Sequence, residues 1–188
     1  MDQKPIVLAF AGPNGSGKST VTQGFDIVGE YINADEIKKM RDCSDLVAAQ
    51  IATQMREDAV LNRRNFTFET VLSSPRNVEL LRKAKNAGYM VEVVFVLTAN
   101  CEINVERVKS RVKNGGHDVP EDKIRSRYHK SLANLSELFK FADVVWVIDN
   151  SDDKAKLLIH AKDSDVMMHA NELWSLEQLR KLISGSLE

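Results

Sequence analysis

The chain has 188 residues, and its 26 lysines and arginines nearly balance its 27 aspartates and glutamates. This length suits one domain, residues 1–188, and the charge balance argues against nucleic acid or an anionic membrane as a partner. The two cysteines, Cys43 and Cys101, are far apart and indicate neither a disulfide framework nor a zinc site. No apolar run approaches the length of a membrane span, so we expect a cytoplasmic protein.

Apolar runs and helical patterns alternate along most of the chain. Strands are predicted at 5–11, 30–33, 65–70, 89–98 and 142–148. Helices are predicted at 18–25, 44–62, 74–87, 104–113 and from Pro120 onward. This order predicts an α/β fold in which helices cover both faces of a mostly parallel central sheet. Toward the C-terminus we expect a hairpin and an amphipathic helix, together about 156–184.

A glycine-rich segment, GPNGSGKS over Gly12–Ser19, lies between the first predicted strand and the helix after it. It fits the pattern G-x-x-x-x-G-K-[ST] in the required context. Its glycines allow backbone N–H groups to surround phosphate oxygens, and the helix N-terminus adds a positive dipole. A turn without a ligand is the alternative, but Lys18 and Ser19 together argue against it. Lys18 is expected to contact the β- and γ-phosphates of ATP, and the Ser19 hydroxyl to coordinate Mg²⁺. The residues predicted to bind ATP are Gly12, Pro13, Asn14, Gly15, Ser16, Gly17, Lys18, Ser19 and Thr20.

Two carboxylates follow predicted strands. Asp35 comes directly after the strand at 30–33, at the sheet edge where ligands bind in open α/β folds. It could deprotonate an acceptor hydroxyl, as a kinase requires, or act as a helix N-cap. Glu69 and Thr70 end the strand at 65–70. Both are candidate substrate contacts, and a solvated strand end is the alternative for Glu69.

The turn GGHDVP, residues 115–120, is flanked by four arginines, Arg107, Arg111, Arg125 and Arg127. Two helices joined by such a turn predict a helical lid, about 107–127, that closes over ATP and supplies positive charge on closure. The alternative is that the arginines lie on helix faces exposed to solvent. Arg111 and Arg127 are the two arginines expected to act on the transferred phosphoryl group. Arg125 and His117 are candidate substrate contacts, although His117 could be an exposed polar residue in a turn.

Four segments together resemble the zeta toxin family of P-loop kinases, in particular its short chromosomal members. They are AGPNGSGKST, INADEI, FETVLSS and INVERVKSRVKNGGHDVPEDKIRSRYHKSLANL, and the resemblance covers about residues 5–151. It implies a fold similar to nucleotide and shikimate kinases, with ATP and Mg²⁺ as cofactors. It also implies phosphorylation of a sugar hydroxyl in UDP-N-acetylglucosamine and a neutralising antitoxin protein as a partner.

The resemblance also implies roles for single residues. Asp35 matches the catalytic base, Glu69 the substrate-binding glutamate, and Lys18 and Ser19 the phosphate and magnesium ligands. Members of the family have two arginines in the lid. In this sequence the position of the second one corresponds to the neighbourhood of His117, so Arg125 or Arg127 would have to replace it. The loop at 149–151 either runs beside the adenine, as in similar kinases, or is a plain turn.

Two other functions fit the same residues. The first is a kinase for a different small hydroxyl compound, such as a nucleoside, sugar or antibiotic. The second is an ATP-gated regulatory module, in which nucleotide occupancy switches contacts with a partner protein. A lid with arginines and a base such as Asp35 favour a kinase, since a switch needs no acceptor base.

Overall fold

The computed structural model of the chain describes residues 4–186, and a seven-stranded sheet forms its centre. The strands are β1 (Ile6–Ala11), β2 (Glu30–Ile32), β3 (Phe66–Thr70), β4 (Met90–Leu97), β5 (Val144–Asp149), β6 (Lys156–Lys162) and β7 (Asp165–Met168). Their order in the sheet is β2-β3-β1-β4-β5-β6-β7. The first five pair in parallel, whereas β6 and β7 are antiparallel. The predicted mostly parallel α/β fold is confirmed.

Helices connect the parallel strands and cover the sheet. They are α1 (Lys18–Thr22), α2 (Ala34–Arg41), α3 (Asp45–Leu61), α4 (Pro75–Asn86), α5 (Cys101–Lys113), α6 (Glu121–Leu138) and α7 (Leu176–Ser184). Two helix boundaries differ by three residues from those predicted, and the other predicted helix and strand boundaries agree within two residues. The helix α1 ends at Thr22 rather than at residue 25, and α5 begins three residues earlier because the Asn100 side chain accepts a hydrogen bond from the backbone N–H of Ile103.

The central strands are buried on both faces, and alternate side chains therefore pack into two different cores. Val7, Ala9 and Ala11 of β1 belong to the larger cluster, which includes residues of α3, α4, α6 and α7. Leu8 and Phe10 point to the opposite face, into a smaller cluster that includes Phe25 and Trp146. This two-sided burial explains the unbroken apolar run of β1 and the apolar run of β4 from Val93 to Leu97.

A third, small cluster holds α5 against α6. It consists of Val105, Val108, Val119 and Ile124. The two helices therefore form one packed pair, with the glycine-rich turn at 114–120 at its far end. Among the helices of the described chain, none combines the length and the apolar character needed to cross a bilayer.

The strand order brings the predicted functional residues to one edge of the sheet. The connection after β1 runs to β2 on one side of it, whereas the connection after β3 crosses β1 to reach β4 on the other side. Such a change of direction opens a crevice at the carboxyl ends of the strands. The glycine loop follows β1, Asp35 follows β2 and Glu69 lies near the end of β3, so all three are brought to this crevice.

Candidate functional site

The glycine loop between β1 and α1 has a backbone that side chains would not tolerate. Gly12 has a φ of 139° and Gly15 a φ of 80°, both in the region that favours glycine. A Cβ atom on Gly12 would lie 2.0 Å from the carbonyl oxygen of Val96, and one on Gly15 would lie 2.5 Å from that of Asn104. The loop therefore packs directly on neighbouring backbone, which fixes its shape.

Two asparagine side chains from distant parts of the chain hold this loop. Asn104 of α5, which is fully buried, donates from Nδ2 to the carbonyl oxygen of Asn14 at 2.6 Å, and its Oδ1 accepts from Thr98. Asn150, after β5, donates from Nδ2 to the carbonyl oxygen of Ser16 at 2.8 Å. The loop is thus oriented from two sides before any ligand enters.

Lys18 lies at the start of α1 and is directed into the loop. Its Nζ donates to the carbonyl oxygens of Gly12 at 2.7 Å and Pro13 at 3.2 Å. Burial of the ammonium lowers the pKa of Lys18 to about 8, and the charges of Glu69 and Asp35 act in the opposite direction. Both carboxylates are therefore within electrostatic reach of the amine.

The position of Asp35 decides between its two interpretations. The N-cap of α2 is Asn33, whose Oδ1 accepts from the backbone N–H of Asp35 at 2.8 Å. The prediction that Asp35 caps the helix is wrong, because the cap falls two residues earlier. Its carboxylate is exposed and lines the main cavity of the crevice, where it is available to a bound molecule.

Glu69 also lines this cavity and is oriented by a tyrosine. The Tyr31 hydroxyl donates a hydrogen bond to Oε1 of Glu69 and accepts one from Nδ2 of Asn33 at 3.1 Å. Burial of the phenol, together with its bond to Glu69, raises the pKa of Tyr31, so the phenol remains a donor at neutral pH. The solvated strand end proposed for Glu69 is therefore not what the structure shows.

The cavity itself has a volume of about 660 Å³ and separates two kinds of side chain. Lys18, Arg107 and Arg111 lie along the walls formed by the loop and α5. Asp35, Glu36 and Glu69 come from β3 and the β2–α2 segment, where they outnumber the one lining cation, Lys39 of α2. Cations on one side suit phosphate groups, and carboxylates on the other suit hydroxyl groups. Further lining residues are Asn14, Gly15, Gly17, Ser19, Tyr31, Asn33, Lys39 and Thr70.

Two of the four predicted arginines, both on α5, reach the cavity. Arg107 lines it and donates to the carbonyl oxygens of Asn150 at 2.6 Å and Ser151 at 3.1 Å. Arg111 also lines it and donates to the carbonyl oxygen of His117 at 2.7 Å. Arg111 is thus held by the turn of the helical pair, and Arg107 by the loop after β5.

The other two arginines, on α6, differ from the expectation. Arg125 is directed to the surface, where it pairs with Glu102 and with Glu121 at 2.7 Å, and it does not line the cavity. The prediction of Arg125 as a substrate contact is not supported by this placement, because two carboxylates neutralise its charge. Arg127 contacts the glycine loop instead, donating to Oδ1 of Asn14 at 3.2 Å.

Some residues predicted to belong to the site contribute to it only through the backbone, or do not contribute to it. His117 has an exposed side chain outside the cavity, and its carbonyl oxygen is what receives Arg111. Ser16 has a buried hydroxyl without a hydrogen-bond partner in residues 4–186. In the same range, no group of three or more His, Cys, Asp or Glu side chains is arranged to hold a metal ion.

The sequence analysis did not identify several residues of the site, among them Glu36, Lys39 and the three discussed next. Tyr31 stands in a three-residue strand, where the apolar pattern is too short to show which side chain faces the crevice. Asn104 and Asn33 are polar residues on helices or caps, and their partners are set by the fold. A signal was present for Asn104, since it is a polar residue that shares a helix face with Arg107 and Arg111 at i, i+3 and i+7.

The chain is similar to known proteins in sequence and in fold. The family model described as Zeta toxin matches residues 1–163. An uncharacterized protein of Haemophilus influenzae is 32% identical over 127 residues, which are 64% of this chain and 91% of that protein.

Among solved structures, the AvrRxo1-ORF1:AvrRxo1-ORF2 complex with sulphate ions superposes with a TM-score of 0.70 at 14% identity, over 98% of this chain and 65% of the matched chain. The same complex with ATP gives a TM-score of 0.69. The PezAT chromosomal toxin-antitoxin system of Streptococcus pneumoniae gives 0.59 at 15% identity, over 98% and 86%.

At these identities the structural likeness shows the fold alone, and the chain spans just under two thirds of the matched AvrRxo1 chain. The sequence match to the family model, in contrast, covers most of the 188 residues. It confirms the resemblance carried by the glycine loop and by the segments around Asp35, Glu69 and the helical pair. The chain belongs to the zeta toxin family.

Proposed function

We propose that the protein is an ATP-dependent kinase that transfers the γ-phosphoryl group of ATP to a hydroxyl of a sugar nucleotide such as UDP-N-acetylglucosamine. The observation that carries this proposal is the division of one cavity between a phosphate loop with Lys18 and the carboxylates of Asp35 and Glu69. A site that only held a nucleotide would not need two carboxylates facing its phosphates.

The phosphate side of the cavity fits ATP. The glycine loop has the conformation and the close packing of an anion cradle, and Lys18 is directed to its centre. Mg·ATP supplies the phosphoryl group when bound. The Ser19 hydroxyl lines the cavity and is the ligand we assign to Mg²⁺, which prefers oxygen ligands and few protein side chains.

The acceptor side fits an alcohol. Asp35 accepts the proton of the acceptor hydroxyl as its oxygen bonds to the γ-phosphorus and the bond to the β–γ bridging oxygen breaks. Glu69, held by Tyr31, binds a second hydroxyl of the acceptor. Arg111, which lines the cavity, neutralises charge on the transferred group. Arg127, which donates to Asn14 of the phosphate loop, is the second arginine that we assign to this role.

An acceptor screen tests the proposal. The chain is incubated with ATP labelled at the γ-phosphate and with UDP-N-acetylglucosamine, UDP-glucose, nucleosides and free sugars. We expect label in UDP-N-acetylglucosamine, with its sugar hydroxyl as the site. Label in another compound would replace the acceptor but keep the kinase, whereas phosphate release with no labelled acceptor would favour an ATP-gated regulatory protein.

A neutralising antitoxin is the protein partner that we retain in this proposal. The support is family membership and the similarity in fold to PezAT, a chromosomal toxin-antitoxin system. Co-purification of the chain with the product of the neighbouring gene tests it, and separate elution of the two proteins would argue against it.

ATP affinity is expected to fall as the pH rises through about 8. Lys18 has its pKa lowered to about 8, so its amine is charged below that pH and neutral above it. If ATP binds only the charged form, affinity at pH 9 should be about tenfold weaker than near pH 7.

Calorimetric titration with ATP between pH 7 and pH 9 measures this effect. Titrations at pH 8 in buffers of different ionisation enthalpy should also show proton uptake on binding. In the variant Lys18→Arg, whose side chain stays charged in this range, ATP affinity should not fall between pH 7 and pH 9. If ATP affinity in the unmodified protein does not change over this range, the loss of affinity cannot be assigned to Lys18.

A further inference from the structure

A second cavity lies between α3 and α4, on the other side of β3 from the phosphate loop. Its volume is about 410 Å³. Three cations line it: Arg56 from α3, and Arg76 and Lys83 from α4. Thr53 and Asn77 add polar groups, and Glu57 and Glu79 stand at its walls. No role in the proposed reaction uses this cavity.

Arg56 is the central feature, because it is buried without a counter-ion. It is 8% exposed, and no carboxylate of residues 4–186 comes within 4.0 Å of its guanidinium. Nε donates to the carbonyl oxygen of Ala52 at 2.9 Å, and Nη1 makes only a long bond of 3.4 Å to Oδ1 of Asn77. Burying a charge in this way is costly unless an anion compensates it.

The environment of Arg56 keeps the guanidinium plane fixed. Its central carbon lies 5.0 Å from the centroid of the Phe68 ring, and the Nε bond to Ala52 restrains the side chain further. Within the described chain, Nη2 makes no hydrogen bond and is not among the fully enclosed polar atoms. The guanidinium therefore presents an unused edge to the cavity, in the fork geometry that binds two oxygens of one anion.

The other charges of this cavity are unpaired as well. Across residues 4–186, none of Arg76, Lys83, Glu57 and Glu79 takes part in an ion pair within 4.0 Å. The opposite face of α4 differs, since Arg82 pairs with Glu137 and lies over the Phe141 ring. The cations of α4 that lack carboxylate partners are thus those that line the cavity.

The helix α4 adds a further positive contribution. Arg76 and Asn77 belong to its first turn, and the side chain of its N-cap, Ser74, makes no capping hydrogen bond. The N-terminal end of a helix carries a partial positive charge that favours anions nearby. This contribution adds to the charges of Arg56 and Arg76 on the same side of the cavity.

We propose that this cavity is a binding site for a phosphate-type oxyanion carried by a small molecule, with Arg56 as its bidentate contact and Arg76 and Lys83 as flanking charges. The site is separate from the phosphate loop, and its existence does not depend on the proposed kinase activity. It is connected to the main cavity through one hydrogen bond, from Nδ2 of Asn77 to Oγ1 of Thr70 at 2.7 Å. Thr70 lines the main cavity, so the two sites share this pair as a wall.

Calorimetric titration of the full chain with pyrophosphate tests the site. The protein is first saturated with ADP in magnesium-free buffer, so that the phosphate loop is occupied. We expect pyrophosphate to bind under these conditions, and the variants Arg56→Gln and Arg76→Gln each to weaken binding by about tenfold, the value of one charged hydrogen bond. Titration with malonate distinguishes a phosphate-type ligand, which should bind more tightly, from a carboxylate.

Arg82→Gln is the matched control, since it removes one cation from the opposite face of the same helix and should leave pyrophosphate affinity unchanged. Arg76 is exposed, so its variant reports on the site even if Arg56→Gln fails to fold. In the unmodified protein, the Nε–Hε resonance of Arg56 should shift on addition of pyrophosphate. The proposal is overturned if Arg76→Gln binds pyrophosphate as tightly as the unmodified protein does, or if malonate binds as tightly as pyrophosphate. It is also overturned if Arg56→Gln lowers catalysis but leaves pyrophosphate affinity unchanged. That last result would make Arg56 a positioning residue for Asn77 and Thr70.

Discussion

Replacement of Asp35 by asparagine is expected to lower the rate of phosphoryl transfer by about 10²–10⁴-fold, the usual contribution of a general base. Asparagine keeps the size of the side chain but cannot accept the proton of the acceptor hydroxyl. The N-cap of α2 is Asn33 rather than Asp35, so the substitution does not remove a cap and the helix should remain. The measurement is the initial rate of transfer from labelled ATP, together with ATP affinity by calorimetry.

Asp42→Asn is the control for this experiment. Asp42 stands at the other end of α2, outside the cavity, in a left-handed conformation that asparagine also adopts readily. Its variant should transfer at the unmodified rate. Undiminished transfer in Asp35→Asn would remove the base assignment, and a large loss of ATP affinity would show that Asp35 acts mainly on nucleotide binding.

Gly15→Ala is expected to weaken ATP binding by about 100-fold, equivalent to about 3 kcal/mol. The added Cβ would lie 2.5 Å from the carbonyl oxygen of Asn104 and 2.9 Å from its Cα. These are backbone atoms of α5, so the contact cannot be relieved by a side-chain rotation. The loop would have to move away from α5, which would break the bond from Asn104 to Asn14 and misplace the N–H groups of the cradle.

Gly88→Ala separates this effect from simple backbone strain. Gly88 has a φ of 84°, close to the 80° of Gly15, but a Cβ there would meet only the Arg63 side chain at 3.7 Å. Both variants carry a similar conformational cost, about 1 kcal/mol. Gly88→Ala should therefore lose some thermal stability but keep ATP affinity. Equal ATP affinities in the two variants would show that the contact with Asn104 does not shape the loop.

The parts of the site that sequence reasoning predicted are those encoded by neighbouring residues. The glycine loop is a continuous segment whose spacing, strand and helix can all be read locally. Asp35 and Glu69 could be placed at the crevice because the carboxyl ends of parallel strands meet at one edge of a sheet. In both cases the argument needs only strand direction and position along the chain.

The orientation of side chains on α5 and α6 could not be predicted in this way. Four arginines near one turn appear equivalent in the sequence. In the structure, Arg125 forms ion pairs with Glu102 and Glu121 at the surface, whereas Arg127 donates a hydrogen bond to Asn14. Glu121 lies four residues before Arg125 on the same helix, a spacing that can be read from the sequence. Glu102 and Asn14 lie on other parts of the chain, so their contacts with Arg125 and Arg127 depend on how the helices pack. The same applies to Asn150, which contacts Ser16 across 134 positions.

The attachment of α5 to the phosphate loop limits where a hinge can lie. Asn104 bonds to the loop and Arg107 to the backbone after β5, so the start of this helix is anchored to the nucleotide site. If the helical pair closes over ATP, as in the proposed reaction, its pivot would lie beyond Arg107, at most four residues, or about 6 Å of helix, from Arg111. Over so short a distance Arg111 would move little, and most of the motion would fall on the turn beyond it.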